Sequence, residues 1–183
     1  VQRFDLDGER LGEVAAGAVM KHSRDFNLAR EATLNSGLSA QTPAYDVQQA
    51  CGTGLEAAIL VGNKISLGQI DSGIAAGTDT ASDAPISPNE KYRHMILNLN
   101  RAKTLGQRLK ALASIRPSFM LPLLPANAEP RTGLSMGQHC ELMVKEWGIS
   151  REDQDQLTFN SHQNLIAAYE RGFFDDLVQP FNG

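Results

Sequence analysis

The stretch Ala44-Tyr45-Asp46-Val47-Gln48-Gln49-Ala50-Cys51-Gly52-Thr53-Gly54-Leu55-Glu56-Ala57 changes periodicity at a single cysteine. Residues 44–50 are mixed in polarity and suit a strand. After Gly54, the residues Leu55, Ala58, Ile59, Gly62 and Ile65 recur at helical spacing until Gly68 closes the run. The segment reads as strand, tight turn, helix, with Cys51 in the turn. Upstream, residues 13–19 (EVAAGAV) form a short apolar run suited to a buried strand. Residues 24–34 follow Ser23 as an N-cap and stop at Gly37. Downstream, residues 73–77 (GIAAG) make a third strand of small residues. The order β-α-β-α-β predicts an α/β sheet with parallel pairs, whose sites lie at the carboxyl ends of the strands.

Beyond residue 80 the character of the chain changes. A Ser/Pro-rich loop (ASDAPISP, 81–88) leads into residues 91–116, which carry seven basic residues and no acidic one. There Met95, Leu99, Ala102, Leu105, Leu109 and Leu112 step by three or four, which predicts one basic amphipathic helix or a pair. Pro117, Pro122, Pro125 and Pro130 then exclude regular helix. The segment 85–135 is read as an insertion between a core of 1–84 and a return to core helices over 136–183. In that return, Met136, Cys140, Met143, Val144 and Trp147 share a helical face that ends at Gly148. Ser150 with Asp153 opens another helix, whose buried side is marked by Leu157, Leu165 and Tyr169, and Gly172 stops it. Residues 176–181 (DLVQPF) suit a final strand.

Composition narrows the function classes. Of the 183 residues, 42% are hydrophobic and 21% charged, an ordinary globular balance, and the net charge of -4 argues against general nucleic-acid binding. Two cysteines in different contexts cannot make a disulfide framework, so a reducing, intracellular setting is expected. No apolar run reaches bilayer length, and the start at Val1 is no signal peptide and suggests a processed, cloned or truncated chain.

A cysteine at a strand-to-helix turn lies near the unpaired amides and positive dipole end of the helix, which favours thiolate. Flanking glycines let backbone approach a substrate closely, and nearby amides can take up negative charge developing on a carbonyl oxygen. Spacing alone leaves the blander reading open, a buried structural cysteine beside a packing Gly-x-Gly. His139-Cys140-Glu141 invites a metal reading. Neighbouring helical residues point in different directions, however, and nothing is spaced to complete a tetrahedral site, so no metal is expected.

The segment Asp46 to Ala57 resembles the nucleophile segment of the thiolases, where a cysteine followed by a small residue, Ser or Thr, and Gly opens a helix. The resemblance covers nearly the whole chain. Gly12-Glu13-Val14 with Gly17-Ala18-Val19, the Arg30 helix, Thr42-Pro43, Ala75-Ala76-Gly77-Thr78-Asp79-Thr80-Ala81-Ser82 and Ser135-Met136-Gly137 through Asp155 fall in thiolase order. Residues 97–112, with Asn100-Arg101-Ala102-Lys103-Thr104-Leu105, are most similar to the beta subunit of the trifunctional fatty-acid oxidation complex. The resemblance implies the N-terminal half of a thiolase-like fold, a mixed sheet covered by helices with a helical and loop insertion. It also implies an acyltransferase that cleaves 3-ketoacyl-CoA in fatty-acid β-oxidation, with Cys51 as the acyl-thioester nucleophile and Met136 as a substrate contact. Coenzyme A would be substrate, with no resident cofactor.

Two family motifs are missing from these residues. Thiolases take the histidine that activates the nucleophile from a Gly-His-Pro segment, and a second cysteine from a Cys-x-Gly-Gly-Gly segment, and neither occurs here. His22, His94, His139 and His162 all lie in other contexts. Where the family usually has Thr-Ala-Glu, this chain has His139-Cys140-Glu141. The resemblance therefore implies an incomplete chain without the C-terminal half, inactive alone; the alternatives are a non-catalytic thiolase-like interaction module or another condensing enzyme such as a ketosynthase. Expected partners are acyl-CoA and CoA, a second copy in a homodimer or larger oligomer, and the alpha subunit of a fatty-acid oxidation complex. The basic stretch 91–116 suits a solvated face, a surface for CoA phosphates or an acidic partner, or a membrane surface. The setting implied is the bacterial cytoplasm or the mitochondrial matrix.

Overall fold

A computed structural model describes residues 1–124 and 126–180. Two compact units are distinguished, residues 1–125 and residues 126–183.

In the first unit β1 (Glu13–Gly17), α1 (Leu28–Asn35), β2 (Ala44–Val47), α2 (Thr53–Ser66) and β3 (Gly73–Gly77) follow in the order the sequence predicts. The strands form a parallel sheet ordered β2-β1-β3, with Gly17 in register with both Val47 and Gly77. All described strand pairs are parallel, so the expected mixed sheet appears only in its parallel part. The strand expected over 176–181 does not form: residues 173–177 turn and 178–180 are irregular, while Phe181 lies outside the described residues.

All five residues of β1 are buried. Strand alternation sends them to two faces. Ala15 packs against Ala57 and Val61 of α2, whereas Val14 and Ala16 line a small cavity with Ala32 and Thr33 of α1. The one acid among them, Glu13, is buried but satisfied, accepting from Tyr45 Oη at 3.0 Å and pairing with Lys64 of α2. Burial first, then the neighbouring Glu13, pushes the Tyr45 hydroxyl above its ordinary range, and the hydrogen bond to Glu13 raises Lys64. A buried carboxylate is tolerated here because both partners reach it.

Two helix readings need correction. The first helix begins at Leu28, not at residue 24, because Ser23–Asp25 forms only a 3-10 turn. Its cap is not Ser23: Asp46, from β2, accepts from the amides of Leu28 at 3.1 Å and Ala29 at 2.8 Å. Arg30 then ties α1 to the approach to β2 through the carbonyls of Thr42 and Ala40. In α2 the buried row is Thr53, Ala57 and Val61, while Leu55 (69% exposed) and Ile59 (45%) face outward. This helix is apolar nearly all round, so periodicity could not tell which row meets the sheet.

After β3, an antiparallel bridge between Ser87 and Leu123 closes an excursion containing α3 (Glu90–Arg101) and α4 (Leu105–Ala113), the pair allowed by the periodicity. Asn89 caps α3, and Thr104 with Gln107 forms a reciprocal capping box on α4. Pro125 lies outside the described residues.

The second unit holds α5 (Met136–Trp147) and α6 (Arg151–Glu170). Ser135 and Gln138 make a capping box, Gly148 ends α5 in the left-handed conformation, and Ser150 caps α6 by accepting from the Asp153 amide. The expected buried side of α6 is not buried: Leu157, Leu165 and Tyr169 are exposed and Ala168 is the residue covered.

Candidate active site

In a parallel sheet the carboxyl ends of all strands share one edge, and the loops leaving them must be tied down to make a site. Here the loop after β1 and the loop after β3 are stitched together. The Met20 amide donates to Asp79 Oδ1 at 2.6 Å, and Thr80 donates to the Met20 carbonyl from both its amide (3.1 Å) and its hydroxyl (2.9 Å). His22 Nε2 meets the carbonyl and carboxylate of Asp83 at 3.0 and 3.1 Å. The loop after β1 is also held to β2, because Lys21 pairs with Asp46 and donates to the Phe26 carbonyl.

Cys51 lies between β2 and α2 at this edge, and its side chain is exposed. No other part of the described chain buries it. The turn that presents it is unusual: Ala50 adopts φ 44°, a left-handed conformation that costs an L-residue on the order of 1–2 kcal/mol. What holds it there is Thr53, nearly buried at the first turn of α2. Its hydroxyl accepts from the Gln49 amide at 2.9 Å and donates to the Ala50 carbonyl at 2.7 Å. The Gly52 amide adds a bond to the Gln49 carbonyl at 3.0 Å.

Glycines on the strands make room for the first turn of α2. A Cβ on Gly17 would lie 2.0 Å from the Val47 carbonyl oxygen and 2.4 Å from Thr53 Cγ2, so this glycine makes room for the first turn of α2. At Gly77 a Cβ would stand 3.4 Å from the Cα of Gly54, so the two glycines meet backbone to backbone. Gly17 and Gly77 thus let the helix that follows Cys51 close onto the sheet.

Asp46, Lys21, Thr53 and Asp79 are the residues that sequence reasoning did not single out. The lone charge in AYDV was a signal for Asp46, but its partners 17 and 18 residues away were not. Burial alone would raise the Asp46 carboxyl. The Lys21 ammonium and the Ala29 and Leu28 amides outweigh burial and hold it below the ordinary aspartate range.

Met136 stands at the first turn of α5, exposed, in the second unit. Nearby, His139 Nε2 lies 3.0 Å from Thr132 Oγ1 and 3.4 Å from Glu129 Oε2, which engages one face of the His139-Cys140-Glu141 run in a local polar cluster. Cys140 is exposed.

Comparison with known proteins gives the family. The sequence matches the family described as thiolase, N-terminal domain, over residues 1–183. It is 40% identical over 176 residues to a 3-ketoacyl-CoA thiolase of Pectobacterium carotovorum subsp. carotovorum (strain PC1), covering 96% of this chain and 40% of that protein. A 3-ketoacyl-CoA thiolase of Klebsiella pneumoniae (strain 342) is 39% identical over 170 residues, with 93% and 39% covered. The chain thus spans about 40% of the length of these relatives. The crystal structure of the Bacillus anthracis acetyl-CoA acetyltransferase superposes with a TM-score of 0.70 over 98% of this chain and 41% of that one, at 24% identity, a likeness of fold. By the family match along its whole length and by its fold, this chain belongs to the thiolase family, as its N-terminal domain.

Proposed function

We propose that this chain supplies the nucleophile half of a 3-ketoacyl-CoA thiolase, with Cys51 as the residue that carries the acyl group. The observation that supports it is the exposed Cys51 at the carboxyl edge of the sheet, raised on the left-handed Ala50 ahead of α2, in a chain whose relatives bear that name. In the reaction, the Cys51 thiolate adds to the ketone carbon of a 3-ketoacyl-CoA. The bond between C2 and C3 breaks, acetyl-CoA leaves as a carbanion that takes a proton, and the shortened acyl group stays on sulfur as a thioester. The thiol of a second CoA then attacks the thioester, releasing acyl-CoA and restoring the thiolate, a two-stage transfer with ping-pong kinetics.

The base for Cys51 and the acid for the carbanion belong, in the family, to the Gly-His-Pro and Cys-x-Gly-Gly-Gly segments, which these 183 residues do not contain. Full turnover is therefore assigned to a protein of the relatives' length, and residues 1–84, 85–135 and 136–183 to core, insertion and returning core. The proposed partners are acyl-CoA and CoA, a second copy in a dimer or larger oligomer, and the alpha subunit of a fatty-acid oxidation complex. Coenzyme A is a substrate and no resident cofactor is invoked. Met136 is carried as a substrate contact by the resemblance alone. A cytoplasmic or matrix setting belongs to the same proposal; among the described residues no helix is long and apolar enough to cross a membrane.

The test is intact-mass analysis after incubation with acetyl-CoA, beside a Cys51→Ala control. An acetyl adduct on the parent chain and none on the control supports the nucleophile. An adduct that persists in the control, or forms at Cys140, sinks it.

One observation favours a second reading, a non-catalytic interaction module. Leu99, Leu105, Leu109 and Leu112 line an apolar groove between α3 and α4, with Arg108 at its side. Charge reversal at Arg101, Lys103 and Arg108 should weaken capture by anionic liposomes and by an acidic partner subunit; unchanged binding leaves the hairpin a solvated face.

A further inference from the structure

The turn at Cys51 is closed by backbone bonds from the Gly52 amide to the Gln49 carbonyl (3.0 Å) and from the Thr53 amide to the Ala50 carbonyl (3.3 Å), and by one side chain. Ala50 has a conformation that alanine avoids. The side-chain support comes from one hydroxyl: Thr53 Oγ1 accepts from the Gln49 amide and donates to the carbonyl of Ala50 itself, bracketing the strained residue on both sides. Thr53 is in turn immobilised, 5% exposed, with its methyl against the bare Cα of Gly17. The chain of support runs from Gly17 to the Thr53 methyl, from the Thr53 hydroxyl to Ala50, and from Ala50 to Cys51.

We infer that Thr53 is a positioning residue for the nucleophile: its hydroxyl keeps Ala50 left-handed and so fixes how Cys51 is presented ahead of α2. The inference rests on the reading of Cys51 as the nucleophile, yet its own claim concerns the turn. A hydroxyl at residue 53 is required only because residue 50 is not glycine. With glycine at 50 the left-handed backbone is adopted without the side-chain penalty, and the hydroxyl becomes dispensable.

The experiment measures iodoacetamide alkylation of Cys51 by peptide mass spectrometry, with Cys140 in the same molecule as internal control, in the parent chain, Thr53→Val, Thr53→Ser and the double variant Ala50→Gly/Thr53→Val. Valine keeps the methyl packing and removes the hydroxyl. Alkylation reports accessibility and thiolate character, so the expected result is a Cys51 rate about fivefold or more slower in Thr53→Val and less than about twofold slower in Thr53→Ser, which keeps the hydroxyl and loses only the methyl, with Cys140 unaffected. In the double variant the rate should return to near that of the parent. Thr53→Val at the parent rate overturns the inference, and so does a double variant as slow as Thr53→Val. Should Thr53→Val fail to fold, the double variant must fold again, because glycine at 50 relieves backbone strain and cannot repair a packing fault; if it does not, the inference fails. An acetyl adduct that forms at Cys140, or persists in Cys51→Ala, alongside the expected alkylation pattern would sink the thiolase nucleophile and leave the turn device standing.

Discussion

Asp46 shows how one side chain joins the site edge to the rest of the fold. It is the only charge in β2, is mostly buried, and holds Lys21 and the first amides of α1. Replacing it with asparagine removes charge-assisted bonds and should destabilise the chain by about 2 kcal/mol in urea unfolding. Since its folded pKa is depressed, the contribution is complete above the ordinary aspartate value and fades as pH falls through the folded value. The stability gap between parent and Asp46→Asn should therefore hold at neutral pH and close below about pH 4. A constant gap down to pH 3 would mean the charge is not the source. Gly17→Ala forces a Cβ against the Val47 carbonyl and the Thr53 methyl, neither of which can swing aside. It should cost on the order of 3 kcal/mol and slow Cys51 alkylation as well, whereas Gly54→Ala, whose Cβ would meet nothing within 4 Å, should leave the fold nearly unchanged.

Among the elements, those with a strong local signal follow the sequence reading closely. β3 spans Gly73–Gly77 as expected, α5 ends at Gly148 and α6 begins at its Ser150 cap. Thr104→Ala breaks the capping box that starts α4 and should cost about 1 kcal/mol, read as faster amide exchange over Leu105–Arg108. The start of α1 was illegible because its cap lies on another strand, and the sheet-facing row of α2 was illegible because both candidate rows are apolar. The choice falls to Thr53, Ala57 and Val61 because a small-residue row can close onto Ala15 and the bare Cα of Gly17, which Leu55 and Ile59 are too large to do.

At the scale of the molecule the unit of residues 1–125 carries the turn at Cys51, the proposed nucleophile, and the sheet edge, and by itself it should not turn over substrate. Thiolysis of acetoacetyl-CoA by the purified 183-residue chain should be undetectable while acetylation of Cys51 is measurable, since covalent capture needs a presented thiol and complete turnover needs the missing acid and base groups. Substantial turnover would overturn this. The order of β1 to β3 with their helices, the Gly148 stop of α5, the Ser150 cap of α6, and the family were determined by the sequence alone, because local periodicity, cap residues and motif order are written within short windows. Which row of α2 is buried, what caps α1, why Gly17 and Gly77 are glycines, and that Cys51 is exposed on a strained Ala50 were decided only by the tertiary structure. Each depends on a contact between segments distant in the chain or on a backbone angle that no residue type announces.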